Sequence, residues 1–225
     1  MAKVLVNESS LSGIANAIRG KNGSTNTYKP NEMAAAITAI ETGGTTDTNT
    51  IKGIIDRSIT SLVIPDGVTT IGNSALSYCK SLTSATLPDG VTTIGKFAFC
   101  LCNSLPSINL PNSLTSIDTS AFSYCTKLTS VKLPEGLTTI GDSAFEKSGL
   151  TSITVPSSVT TIKYNAFGSC DLISVKFKGT PTSIHSMAFN GCTNLTTINV
   201  PWAEGEVANA PWGATNATIN YNYTE

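Results

Sequence analysis

The sequence predicts a mainly β solenoid, an array of about six coils preceded by a short helical hairpin, on three observations. Pro65, Pro88, Pro111, Pro134 and Pro156 recur at spacings of 23, 23, 23 and 22 residues. Ala75, Ala98, Ala121, Ala144, Ala166 and Ala188 keep the same period, and a phenylalanine follows the alanine in five of the six. Between these markers run short apolar-polar-apolar steps such as Val131-Lys132-Leu133, the period-two pattern of a strand with one face inward. A fixed period in the twenties means stacked units that each bury one face against the next.

The first 42 residues do not share the repeat. Ser9 or Ser10 can cap a helix carrying Leu11, Ile14 and Ile18 on one face, stopped by Gly20 and the Asn22-Gly23 turn. A second helix is expected from Pro30, with Met33, Ile37 and Ile40 inward. Two helices this short bury too little surface to stand alone, so residues 1–42 are read as an attachment or oligomerisation module that docks on something else. Residues 43–58 follow as a polar linker, from Gly43 through Thr50, and an N-terminal cap that includes Ile54 and Ile55.

Coils then start at Ile59, Leu82, Leu105, Leu128, Leu150 and Leu172, with a half coil from Leu195, and the solenoid is assigned to residues 59–200. Pro-Asp-Gly at 65–67 and 88–90 and Pro-Glu-Gly at 134–136 suit type I turns. A second short strand, as in Val91-Thr92-Thr93-Ile94, returns before the Ala-Phe pair. Phe99, Phe122, Phe145, Phe167 and Phe189 are expected to stack inside, Leu76 standing in the first coil. Lys178 replaces the proline of the sixth coil and Pro181 takes an apolar position, which makes its turn the least regular.

Cys79, Cys102, Cys125, Cys170 and Cys192 share one repeat position, where the fourth coil has Ser148. They read as a ladder of small buried groups, close enough between coils to approach disulfide reach but held protonated by an apolar interior. Cys100 and Cys102 form a Cys-x-Cys with no second ligand pair to complete a tetrahedral metal site, so neither metal nor cofactor is expected.

Residues 201–225 lose the period. Trp202 and Trp212, with Tyr221 and Tyr223, either cap the last coil or form an aromatic platform on which a sugar would stack.

Two columns face outward along the strands. One is nearly constant, Ser61, Ser84, Ser107, Ser130, Ser152, Ser174 and Thr197. The other varies, and its residues Thr86, Asn109, Lys132, Thr154, Lys176 and Asn199 are the candidate binding face. Such a face can hold an extended partner, a protein or a surface glycan, through many hydrogen bonds of about 0.5 to 1.5 kcal/mol each. The formal net charge is -1 and 13% of residues are charged, so no basic face suits nucleic acid. The run Val4-Leu5-Val6 is too short for a signal-peptide core, and no stretch approaches the roughly 20 apolar residues of a membrane span. His185 is the one histidine, at an ordinary outward position, and no nucleophile elbow or phosphate loop occurs, so an enzyme is not expected.

The recurring pattern Leu-x-x-Ile-x-Leu-Pro-x-x-Leu-x-x-Ile-Gly-x-x-Ala-Phe-x-x-Cys resembles the BspA-like class of leucine-rich repeats. That resemblance implies an adhesin or interaction scaffold, without the asparagine ladder of commoner leucine-rich repeats. Leu11-Ser-Gly-Ile14-Ala15-Asn-Ala17-Ile18-Arg19 with Tyr28-x-Pro30-x-Glu32-Met33-Ala34-x-x-Ile37 resembles the beginning of phage and prophage tail-associated proteins. This second resemblance implies attachment to other tail proteins, a place in the virion tail, receptor binding at a bacterial surface, and a homo-oligomer, by analogy a trimer. A structural tail protein without a receptor and a bacterial cell-surface adhesin are the alternative expectations.

Overall fold

The computed structural model of the chain describes residues 54, 56–64 and 66–224. The expected helices, with Leu11, Ile14, Ile18, Met33, Ile37 and Ile40, lie outside the described residues, as does the linker from Gly43 through Thr50.

The described elements are fourteen short strands, and every pairing among them is parallel. One side of the rod carries the longer set: β1 (Ser61–Val63), β3 (Ser84–Thr86), β5 (Ser107–Asn109), β7 (Ser130–Lys132), β9 (Ser152–Val155), β11 (Ser174–Phe177), β13 (Thr197–Asn199) and β14 (Thr218–Asn220). A second side is one continuous six-stranded sheet of two-residue strands: β2 (Thr70–Ile71), β4 (Thr93–Ile94), β6 (Ser116–Ile117), β8 (Thr139–Ile140), β10 (Thr161–Ile162) and β12 (Ser183–Ile184). Parallel register pairs like with like in this sheet, as in Ile94 beside Ile117 and Ile117 beside Ile140, so its inward isoleucine column is uniform and buried.

The phenylalanine spine forms as expected. Phe99, Phe122, Phe145, Phe167 and Phe189 are fully buried, with consecutive ring centroids 5.1–5.5 Å apart and planes within 3–9° of parallel. The coil rise of about 4.8 Å sets this spacing, which lets identical rings stack without a gap.

The expectation that the period ends with a half coil is corrected. Phe189 donates its backbone N–H to the Trp212 carbonyl at 2.9 Å, just as Phe167 donates to Ala188, so Trp212 takes the alanine position of a seventh turn. β14 then pairs with β13, Thr197 beside Thr218, Ile198 beside Ile219 and Asn199 beside Asn220. The sequence Thr-Ile-Asn recurs at 218–220, but the 21-residue step and the missing proline and Ala-Phe markers hid it.

The sixth coil accommodates its departures. Lys178 donates its backbone N–H to the Val155 carbonyl at 2.9 Å, and Pro181 is buried. Phe177 fills the inward place held elsewhere by Leu133 or Val155 and packs edge-on against Trp202, with centroids 5.1 Å apart.

Between the two strand sides each coil carries tight turns with left-handed residues. Tyr78, Leu101, Tyr124, Lys147 and Ser169 have φ between 53° and 63° except Lys147 at 52°, and Gly191 closes that column at 74°. Side chains rarely adopt this conformation, at about 1–2 kcal/mol each, so the turns persist because the stacked neighbours on either side fix them.

Candidate binding face

Two ladders of side-chain hydrogen bonds tie the coils together, one buried and one exposed beside the two-residue strands. The cysteine ladder is buried and every cysteine is a free thiol. Four of the five ladder thiols donate back across one coil: Cys102 to the Leu76 carbonyl at 3.2 Å, Cys125 to Phe99 at 3.1 Å, Cys170 to Phe145 at 3.0 Å and Cys192 to Phe167 at 2.9 Å. In the fourth coil Ser148 keeps the column polar, its Oγ 3.3 Å from the Cys170 sulfur. Burial pushes the thiols upward, Cys125 and Cys170 to about 12 and Cys192 to about 11. Protonated thiols are the state in which this column can donate.

The second ladder is of threonines. Thr92, Thr115, Thr138 and Thr160 each donate through both backbone N–H and hydroxyl to one carbonyl of the preceding coil, the hydroxyl distances being 3.0–3.3 Å. The threonine that precedes each of β4, β6, β8 and β10 thus binds its coil to the one before it. In the sequence these threonines belong only to the short second strand, and their recurrence is visible there but their hydrogen bonds are not.

The strand side itself is not one sheet. β1 pairs with β3, β5 with β7, and β9, β11, β13 and β14 form a third group. The first break has a simple cause: Thr83 and Thr129 donate to the coils before them, but Pro106 occupies the matching place between β3 and β5 and has no N–H. The second break coincides with a shortened coil, but the same shortening at Cys170-Asp171-Leu172 leaves β9 and β11 paired, so length alone does not cause it. Two residues separate Cys125 from Leu128, but only Gly149 separates Ser148 from Leu150, and the Gly149 N–H reaches back to the Cys125 carbonyl at 3.3 Å. There β7 and β9 separate, Val131 is only half-buried, and a cleft of about 380 Å³ opens.

Of the candidate residues, Lys132, Thr154 and Lys176 line this cleft, together with Ser130, Ser152 and Lys178. Lys178 reaches over the intervening coil to Glu135 at 3.0 Å, and Lys176 lies over the Tyr223 ring, 5.2 Å from its centroid. Thr86 and Asn109 are exposed on the same side, farther along the rod. Asn199 is partly covered and accepts from the Asn220 amide at 2.8 Å.

The four C-terminal aromatics do not form a shared platform. Trp202 and Trp212 are buried against each other and Phe177, with indole centroids 6.2 Å apart, and the Trp212 Nε1–H donates to the Ala208 carbonyl at 2.8 Å. Tyr221 is half-buried against the core and Tyr223 is exposed. The tryptophans sit inside because the seventh turn lacks Ala-Phe and something large must fill its place. His185 is exposed, edge-on to Tyr164, and its Nδ1 accepts from the Met187 N–H at 3.1 Å.

A family model for the BspA type leucine rich repeat region matches six copies over residues 55–174 and 160–208. The chain belongs to the BspA-type leucine-rich repeat family. Within that family it is similar to a leucine-rich repeat protein of Bacteroides ovatus, at 33% identity and a TM-score of 0.57 over 63% of this chain and 39% of that one. A Treponema pallidum leucine-rich repeat protein is 34% identical, with a TM-score of 0.57 over 62% of this chain and 68% of its own. The pneumococcal vaccine antigen PcpA shares the fold at 19% identity and a TM-score of 0.58, over 72% of this chain and 42% of that one. The chain therefore spans well under half of the Bacteroides ovatus protein. No curated protein matches the sequence. Among the described residues no helix is long and apolar enough to cross a membrane, and no group of His, Cys, Asp and Glu is placed to hold a metal ion.

Proposed function

We propose that this BspA-type repeat protein is a non-enzymatic binding module that uses its longer strand side to contact a bacterial surface protein or glycan. The observation that carries the reading is the composition of that side. Exposed short hydroxyls stand in register in two pairs, Ser61 with Ser84 and Ser107 with Ser130, beside a column whose side chains change from coil to coil. A rigid rod supplies such groups at low ordering cost, since neither backbone nor short side chains lose much freedom on contact.

In this reading the protein is a phage or prophage tail component, located in the virion tail and joined to other tail proteins through residues 1–42. That placement rests on the likeness of residues 11–37 to tail-associated proteins, and a trimer is the expected assembly. The bacterial origin of the two relatives near one-third identity favours a second deployment, as an adhesin of a bacterial cell surface.

The test is binding of labelled protein to intact bacteria and to purified wall glycan, with Asn109, Lys132 and Lys176 replaced together by serine in a second sample. The triple variant is expected to bind at least about tenfold more weakly with the same melting temperature. Equal binding by the two proteins eliminates this face. Light scattering on the full chain measures the assembly, and a monomeric mass removes the oligomeric part of the reading.

A further inference from the structure

The turn side of the rod, away from both sets of strands, carries exposed rings in its first three coils. Tyr78, Leu101 and Tyr124 share one repeat position there, held in register by the Tyr78 N–H to the Cys100 carbonyl at 2.7 Å and the Leu101 N–H to the Ser123 carbonyl at 2.9 Å. Tyr78 is 46% exposed, and Tyr124 is 37% exposed with the Lys147 ammonium already seated 2.8 Å from its hydroxyl and 4.7 Å from its ring centroid. Phe97, four residues before Leu101, opens the second coil's turn and is 43% exposed. In the next three coils the column continues as Lys147, Ser169 and Gly191, so the apolar stretch ends after Tyr124.

Two separate costs attend these residues. Each ring keeps apolar surface in water. Tyr78, Phe97, Leu101 and Tyr124 also have φ between 58° and 63°, a backbone conformation that suits Gly and Asn and disfavours bulky side chains. Matching positions of other coils hold Ser74, Ser120, Asn165, Ser169 and Gly191. Neither burial nor backbone preference accounts for rings at these places, and strained bulky residues grouped on a surface mark a contact site.

We propose that this stripe binds an extended β-1,4-linked glycan lying along the rod axis, with alternate sugar rings stacked on Tyr78 and Tyr124. Two coils separate the tyrosines, a stride of about 10 Å at about 4.8 Å per coil. A disaccharide of such a glycan has the same length, so every second sugar meets a ring. An extended peptide repeats on one face every 6.6 to 6.8 Å or about that, which does not keep step with this stride. A partner helix lays its apolar face into a groove, whereas these rings stand on the outer turns of a rod. Tyrosine suits a sugar because its ring meets the C–H face while its hydroxyl meets the sugar hydroxyls, and the Lys147 ammonium supplies donors at the same end. The site lies on a different side of the rod from the proposed binding face and does not depend on it.

The experiment is titration of the full chain with chitotetraose, followed by ligand-observed NMR, with maltotetraose, whose α-1,4 linkages curve the chain, as the second sugar. Chitotetraose is expected to bind and maltotetraose to bind at least about tenfold more weakly. Tyr78→Asn with Tyr124→Asn is expected to lose at least about tenfold in affinity for chitotetraose at an unchanged or higher melting temperature, because asparagine suits the left-handed backbone. Tyr78→Phe with Tyr124→Phe, which keeps both rings, is expected to stay within a few-fold of the wild type, and Tyr164→Asn, an exposed ring outside the column, to change nothing. The proposal is overturned by no binding of chitotetraose, by equal binding of maltotetraose, or by a double asparagine variant that binds as the wild type does. Two further measurements address the other occupants. Light scattering is expected to give equal masses for the wild type and the double asparagine variant, and a larger mass for the wild type alone assigns the stripe to a second copy and overturns the proposal. A labelled amphipathic helical peptide is expected not to bind, and binding that the same variant loses overturns it in favour of a protein partner. Adhesion to intact cells that survives in the double asparagine variant but falls in the Asn109, Lys132 and Lys176 variant keeps the proposed function standing whatever the sugar titration shows.

Discussion

Replacing Phe122 by alanine tests the spine that the fold depends on. The ring is fully buried between Phe99, 5.1 Å away, and Phe145, 5.3 Å away, both nearly parallel to it. Losing the ring forfeits a transfer contribution of about 2 kcal/mol. It also leaves a void which, if about 80 Å³ persists at about 24 cal/mol per Å³, costs about 2 kcal/mol more. The sum of about 4 kcal/mol is local, because each coil contacts mainly its neighbours and the rings above and below are held by their own backbones. Urea unfolding followed by circular dichroism should show the loss as a lower midpoint. A decrease in slope would indicate that the coils before and after position 122 have begun to unfold separately. Phe122→Leu, which copies Leu76 of the first coil, should cost only about 1 to 1.5 kcal/mol. A loss below about 1 kcal/mol for the alanine variant would mean that the stacked rings do not carry the cohesion between coils.

Stability should fall on the alkaline side. Burial raises the folded-state Cys125 and Cys170 thiols to about 12, so above roughly pH 8.5 the unfolded chain loses protons that the folded chain keeps. The stabilisation is complete below the unfolded value and is lost as pH rises toward the folded one, by at most about 1.4 kcal/mol per pH unit and thiol. Melting curves at pH 7 and pH 10 should diverge less in a Cys125→Ser, Cys170→Ser double variant than in the wild type, and identical differences would contradict the buried thiol ladder. Cys125→Ala, which removes the donor to the Phe99 carbonyl and leaves a small void, should cost about 1 to 2 kcal/mol in urea unfolding. Lys178→Ala should change stability by less than about 1 kcal/mol, because its bridge to Glu135 is solvent-exposed on both sides; a larger loss would show that the bridge holds the cleft together.

The architecture was legible because a repeat states the same local rule many times. One Val-Lys-Leu step is ambiguous, but the same step before a proline in successive coils permits only strands stacked in register, and the spine of rings followed from Phe99 to Phe189 at one position. The seventh turn was not legible. Trp212 takes the alanine position through backbone geometry, and no spacing rule equates Trp with Ala-Phe. The threonine ladder was visible as recurrence but not as function, since a threonine on a strand reads the same whether its hydroxyl meets water or the carbonyl one coil below.

For the candidate face, the outward positions of Thr86, Asn109, Lys132, Thr154 and Lys176 follow from the period-two pattern alone. Their grouping does not. Pairing between β3 and β5 is lost at the missing proline N–H of position 106, a small change that acts only once the coils are stacked, whereas the shortened step at Ser148-Gly149-Leu150 recurs at Cys170-Asp171-Leu172 without a break and does not foretell the opening between β7 and β9. The sequence by itself determined the coil, its inward columns and its repeating exterior, because these depend on which side chains avoid water. Tertiary structure alone decided where the strand side opens, that Lys178 reaches Glu135 across the intervening coil, and that the tryptophans lie inside, because these depend on distances between coils that no single coil encodes.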